Sequence, residues 1–224
     1  FPILPFTKIG YPYVEVRGEK GYNGVAIISR YPLSEIEHFS FCNKGDCRHL
    51  AASLSVNGRK LRLHNFYVPA GGDIADVKLN PKFQHKIDFL ECLKKICAES
   101  GEKQSSLLVG DLNIAPYVHD VWSHKQLLSV VSHTPIETTN LLQAMVLGGW
   151  VDLVREFIPE PKKVYTWWSY RAKDWMSSDK GRRLDHIWGS ADLQNFLVEV
   201  EILKAARQWL QPSDHVPLSV KFKF

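Results

Sequence analysis

The chain lacks a long apolar run and is poor in cysteine and methionine. Of its 224 residues 45% are hydrophobic. No stretch approaches the roughly eighteen apolar residues that a membrane-crossing helix needs, so no membrane partner is expected. The opening Phe1-Pro2-Ile3-Leu4-Pro5-Phe6 has no basic leader and no small-residue cleavage site, so it does not read as a secretory signal. Nor does it begin with Met, and a natural chain extending further upstream is expected. There is no G-x-S-x-G and no Gly-rich phosphate loop, which leaves acyl transfer and nucleotide cradling without support.

The four cysteines fall as Cys42/Cys47 and Cys92/Cys97. A four-thiolate zinc site fits them poorly, because Cys92 and Cys97 lie in a helical pattern whose spacing points them to different parts of the helix. Reduced structural cysteines and an intracellular compartment, the cytoplasm, are expected. The net charge of +4 permits a nucleic-acid partner without requiring one. Seven Trp are many for this length; they suit stacking surfaces, and large cores use them too.

The chain reads as mixed strands and helices in one domain spanning 1–224. Short strands are expected at Tyr13–Val16, Val25–Ser29 and Ala51–Val56, and Asn57-Gly58 then signals a hairpin into a return strand from Arg59 to Tyr67. Leu61, Leu63, Asn65 and Tyr67 share one face of that return strand, which delivers Tyr67 to the rim of a sheet. Phe83, Ile87, Leu90, Leu93 and Cys97 recur at helical spacing within Pro81–Ser100, with Lys82, Lys86, Glu91 and Lys95 off that stripe. A second helix is expected over Asn140–Leu147, closed by Gly148-Gly149. Tyr165–Trp168 and Leu184–Trp188 read as strands around a polar, basic loop from Arg171 to Arg183. Val216, Leu218, Val220 and Phe222 alternate in a last strand.

Four of these strands end in polar groups: Tyr67, Asp111 with Asn113, Asp185, and Asp214 with His215. In the central stretch, Leu107-Leu108-Val109 reads as a buried strand that stops at Gly110. If the backbone stays extended, Asp111 and Asn113 then point the same way. One such ending is an ordinary turn. Four of them, supplying Tyr, Asn, His and three carboxylates, point to strands converging on one site. The inventory suits phosphate-ester hydrolysis: carboxylates and an amide for Mg²⁺, an acid to orient water, and an Asp185–His215 pair to hold a charged imidazole. His186 reads as a packed or solvated residue beside it.

Gly21-Tyr22-Asn23-Gly24-Val25-Ala26-Ile27, Asn65-Phe66-Tyr67-Val68-Pro69, Gly110-Asp111-Leu112-Asn113, Arg183-Leu184-Asp185 and Ser213-Asp214-His215 occur in this order. In that, the chain resembles the exodeoxyribonuclease III family of the endonuclease/exonuclease/phosphatase superfamily along essentially its whole length. The resemblance implies an α/β four-layer sandwich, two mixed β-sheets packed face to face and flanked by helices. It also implies Mg²⁺- or Mn²⁺-dependent cleavage of DNA 5′ to abasic sites, with 3′→5′ exonuclease and 3′-end-cleaning activity.

The same resemblance assigns residues. Tyr67 would contact the attacked phosphate, Asp111 activate water, Asn113 steady it, and Asp185 pair with His215. Asp111, Asn113 and Asp214 would serve the metal. Trp167 and Leu184 would wall a pocket for an extruded abasic sugar. Gly21, Tyr22, Arg171 and Arg182 would touch the DNA backbone, although solvated loop residues are read equally well there. The expected partner is double-stranded DNA with abasic sites or blocked 3′ ends, and the expected state is a monomer. The family's first strands, including the Glu that is its main metal ligand, have no counterpart here; the chain starts just after that Glu's place.

Overall fold

The hairpin signalled by Asn57-Gly58 forms and supplies two adjacent strands of the largest sheet. In this computed structural model, which describes residues 1–42, 44–100 and 105–224, both turn residues take positive φ, 50° and 80°. That backbone matches the twist of the flanking strands, and glycine and asparagine accept it most readily. The strands are β1 (Tyr13–Gly18), β2 (Gly24–Ser29), β3 (Ser34–Glu37), β4 (His49–Val56), β5 (Arg59–Tyr67) and β6 (Ser106–Asp111). They continue with β7 (Val151–Asp152), β8 (Trp167–Trp168), β9 (Gly181–Arg182), β10 (Asp185–Gly189), β11 (Leu197–Ile202) and β12 (Leu218–Phe222).

Six of them form one mixed sheet in the order β3-β4-β5-β6-β10-β7, in which only β5 and β6 run parallel. A parallel neighbour needs a crossover. The helix Pro81–Ser100 supplies it. Its apolar stripe, Phe83, Ile87, Leu90, Leu93 and Cys97, is buried as the spacing requires. It packs with Leu141 and Ala144 of the helix Pro135–Leu147 on Phe66, Leu108 and Trp188 of the sheet. The second helix starts earlier than its apolar pattern suggests. Thr134 and Glu137 form a reciprocal capping box around Pro135, a signature that is readable in the sequence as T-P-x-E.

The opposite face of the sheet is covered by two antiparallel hairpins. β1–β2 sets Val25 and Ile27 against Leu50, Ala52, Leu63 and Tyr67. β11–β12 packs Val200, Ile202, Leu218 and Val220 against Leu107, Val109 and Ile187. The fold is thus a mixed α/β structure with a multi-strand mixed sheet between helices and a second β layer. Among the described residues that second layer is two separate hairpins, because β2 and β12 do not pair.

Three local expectations are corrected. The strand expected at Tyr165–Trp168 is confined to β8, and the basic loop from Arg171 to Arg183 contains the short helix Trp175–Ser178 and β9. Asn113 does not continue an extended strand; its φ is 53°. Lys86, which the helical pattern sets off the apolar stripe, is fully buried. The cysteines are free thiols, with only Cys42 and Cys92 close together, their sulfurs 3.8 Å apart. His186 is buried, and its Nε2–H donates to the Ile114 carbonyl at 2.8 Å.

Candidate active site

Sheet register alone brings three of the expected residues into one row. Tyr67 pairs with Asp111 across β5 and β6, and Asp111 pairs with Asp185 across β6 and β10. The row is close because residue 110 is glycine. Gly110 has φ 137°, and a Cβ there would lie 1.9 Å from the Phe66 carbonyl oxygen. No other side chain fits that approach.

After the row the chain turns. The Asn113 N–H donates to Asp111 Oδ1 and its amide Nδ2 to Asp111 Oδ2, each at 2.9 Å. Nδ2 also donates to the Val68 carbonyl at 2.9 Å. The structure brings Asp111 and Asn113 together through a turn in which the amide donates to the acid. With both amide hydrogens spent, the Asn113 side-chain oxygen is the atom left for a ligand.

His215 arrives from the loop before β12. A bridge between Trp167 and His215 fixes its backbone, reinforced by Trp168 N–H to the Asp214 carbonyl and Val216 N–H to Thr166. Its Nδ1–H donates to Asp185 Oδ2 at 2.8 Å, leaving Nε2 3.9 Å from Asp111 Oδ2. Burial alone would lower the His215 pKa. The hydrogen bond and charge of Asp185, with Asp111 and Asp214 behind, outweigh it and raise the value to about 9. Asp111 moves the other way from an ordinary acid. Burial, then the Asp185 carboxylate, push it up to about 7 against the pull of His215.

These groups line an open cleft of about 1040 Å³. Asp214, Trp167, Leu184, Arg171 and Arg182 line it too. Arg182 is not a solvated loop residue: it donates to the Val131 carbonyl and the Ser132 hydroxyl at 3.0 and 2.7 Å and stacks over Trp167. Arg171 is exposed at the rim. Gly21 and Tyr22 are not in the cleft lining. Gly21 borders a separate recess by β1 and β2, while Tyr22 reaches toward the row through Arg48, whose guanidinium lies over both Tyr22 and Tyr67.

The donor set fits a hard divalent ion. One carboxylate oxygen from each of Asp111 and Asp185 lies within 4.8 Å of the other and of a His215 ring nitrogen. The oxygens are the donors such an ion prefers, and Asn113, hydrogen-bonded to Asp111, offers its side-chain oxygen. The protonated His215 stands beside them as a donor to substrate. Asp214 stands outside that compact group, and its Oδ2 accepts the Trp167 indole N–H at 2.9 Å.

Sequence reasoning passed over several supports. Thr166 is fully buried, and its hydroxyl accepts the N–H groups of Leu184 and Asp185 at 3.0 and 3.1 Å. Arg183, also fully buried, is gripped by Asp120 and Asp152, with Arg155 on the same Asp120. Trp122 and Lys180 complete the cleft wall, the ammonium 4.6 Å from the ring centre. Only the capping Glu137 carries a local signal that could have found it.

A mixed α/β fold whose strand ends offer carboxylates, an amide and a charged imidazole defines a hydrolytic phosphoesterase class. Comparison with known proteins agrees: residues 3–215 match the Endonuclease/Exonuclease/phosphatase family model, and the chain belongs to that family. It is 29% identical to exodeoxyribonuclease III of Haemophilus influenzae, covering 100% of this chain and 85% of that protein. It is 27% identical to an exodeoxyribonuclease of Bacillus subtilis over 90% of this chain and 75% of the relative. Among solved structures, an AP endonuclease from Archaeoglobus fulgidus superposes with a TM-score of 0.89 at 30% identity, covering 100% of this chain and 84% of that one. A 3′ phosphatase from Neisseria bound to a product DNA hairpin gives 0.89 at 28% identity, with the same coverage. Two further relatives carry repair in their names, recombination repair protein 1 of Drosophila melanogaster and DNA repair nuclease APEX1 of Danio rerio. Among the described residues no helix is long and apolar enough to cross a membrane.

Proposed function

We propose that this chain, working as one domain across residues 1–224, hydrolyses the DNA backbone 5′ to abasic sites and cleans blocked 3′ ends. The observation that carries the reading is the Tyr67–Asp111–Asp185 row with His215 closing over it, at one end of a cleft walled by Trp167. Asp111, the carboxylate at the centre of the row, accepts a proton from the attacking water. Asn113 keeps that carboxylate oriented through two hydrogen bonds. His215 stays cationic at neutral pH and donates from Nε2 to a phosphoryl oxygen, while Asp185 holds its ring. Tyr67 meets the phosphate from the adjacent strand. Trp167 and Leu184 receive a sugar that has no base to unstack, which makes extrusion cheaper.

Mg²⁺ or Mn²⁺ is the proposed cofactor, held by Asp111 and Asn113 with Asp185. When bound, such an ion stabilises charge on the phosphoryl oxygens. Asp214, which the resemblance assigns to the metal, lines the same cleft, and its Oδ2 accepts the Trp167 indole N–H. Double-stranded DNA with abasic sites or blocked 3′ ends is the partner, reached by Arg171 and Arg182, with Gly21 and Tyr22 further along the backbone. A monomer is the working unit and the cytoplasm its compartment.

The test uses two duplexes, one bearing a single abasic-site analogue and one ending in a 3′-phosphate, each with Mg²⁺ and with chelator. Metal-dependent incision on the 5′ side and release of phosphate are expected. Tight binding without any cutting would overturn the reading in favour of a DNA-binding module. Cutting confined to non-DNA phosphoesters would move it elsewhere in the family.

A further inference from the structure

Lys86 lies within the helix Pro81–Ser100, and both it and its partner Glu137 have no exposed side-chain surface. Its Nζ lies 2.5 Å from Glu137 Oε1, and it donates to the Asn113 carbonyl at 2.8 Å and the Ala70 carbonyl at 3.3 Å. An ammonium has three donors, and these acceptors take them all. Glu137 in turn accepts the N–H groups of Ser132 and Thr134 and the Thr134 hydroxyl. Burying such a pair costs about as much desolvation as it returns in attraction, so stability alone does not explain its presence.

What the pair holds does explain it. Asn113 follows the Asp111 row in a left-handed backbone conformation that non-glycine residues seldom adopt. Ala70 belongs to the loop leaving Tyr67. Ser132 and its neighbour Val131 hold Arg182 in the cleft wall. The Ala70 loop closes over the lysine stem so tightly that a Cβ on Gly71 would lie 2.9 Å from Lys86 Cδ. Three loops of the cleft thus meet on one buried ion pair that never reaches its surface.

We propose that Lys86, held by Glu137, is a positioning residue for hydrolysis in this cleft. It fixes the Asn113 peptide so that the side-chain amide stays on Asp111 and the amide oxygen faces the ligand. The inference rests on the reading of the cleft as a nuclease site that uses Asn113.

The experiment is a double-mutant cycle on single-turnover incision of the abasic-analogue duplex with Mg²⁺. It compares wild type, Lys86→Met, Asn113→Ala and the double variant, with rates normalised to the fraction folded by near-ultraviolet circular dichroism. Lys86→Met is expected to slow the bond-breaking step on the order of 10²-fold, the cost of an ångström-scale misplacement, while the concentration of DNA giving half-maximal rate shifts by less than about threefold. In the Asn113→Ala background it is expected to cost less than about threefold more, because the group it positions is gone. Equal losses in both backgrounds would overturn the proposal, as would a folded Lys86→Met protein with the wild-type rate. Should Lys86→Met fail to fold, Glu137→Gln replaces it in the same cycle. That change keeps the acceptor for the Thr134 cap and removes the charge; the same non-additivity is expected, and simple multiplication of losses would refute the role. A wild type that cuts no DNA would instead bring down the nuclease reading and this inference with it.

Discussion

Replacing Gly110 by alanine should break the site and the sheet together. At φ 137° the new Cβ would sit 1.9 Å from the Phe66 oxygen and 2.9 Å from its carbonyl carbon. Carbon contacts are comfortable from about 3.5 Å, so β5 and β6 must part by roughly 1.5 Å at that point. The backbone itself, in a region nearly reserved for glycine, adds on the order of 1–3 kcal/mol of strain. Loosened ladder bonds around the Phe66–Gly110 pair add about 1 kcal/mol each. A loss of about 3–5 kcal/mol in urea unfolding is expected, consistent with these contributions. Because Tyr67 and Asp111 sit one residue on in the same register, the surviving folded protein should incise on the order of 10²-fold more slowly. Gly58→Ala is the control: it also has positive φ, but nothing lies within 4 Å of its Cβ. It should cost about 1 kcal/mol and leave the folded protein's rate unchanged. Equal stability losses for the two variants, with the Gly110 variant cutting at the wild-type rate, would refute the close-approach argument.

Three further outcomes follow from the same geometry. Buried His186 takes a proton only near pH 4 when folded, burial being the main cause and Arg183 the next, but near 6.5 when unfolded. The unfolded chain therefore binds more protons as pH drops below 6.5, and this residue alone should cost about 2 kcal/mol of stability at pH 5; His186→Gln should flatten that part of the urea-melt profile, and an unchanged slope would contradict it. Arg183→Met leaves buried Asp152 without its cation and Asp120 with Arg155 alone, and should destabilise by about 3–5 kcal/mol, read as a drop in the urea midpoint. Trp167→Ala should lower the preference for the abasic duplex over an intact one by roughly tenfold, measured as a ratio of kcat/KM values; an unchanged ratio would remove Trp167 from the pocket wall.

The sequence revealed much of the site because its chemistry sits at strand ends. Apolar runs mark β5, β6 and β10, and the polar residues that stop them are the ones the register aligns. Asn57-Gly58 marked the turn for an equally local reason. What was hidden depends on contacts distant in sequence. Lys86 follows the polar pattern of its helix, and nothing near it in the chain announces Glu137 about fifty residues later. Arg183 looks like part of a basic loop until Asp120 and Asp152 close on it. The positive φ of Asn113 was not legible either, since an extended strand would also have put Asp111 and Asn113 on one side. Likewise the split of the second β layer into two hairpins is a matter of which edges meet, which strand propensities do not encode.

The most direct measurement is incision of a duplex bearing one abasic-site analogue by wild type and His215→Ala, each titrated with Mg²⁺ from a chelated start. Wild type should be silent in chelator and cut 5′ to the lesion once the metal is added. The variant should bind the duplex with similar affinity and cut at least about 10²-fold more slowly, since it loses a charged donor aimed at the phosphate. Equal rates for the two proteins, or cutting that persists in chelator, would contradict a metal-assisted phosphodiesterase centred on the Asp111–Asp185–His215 group.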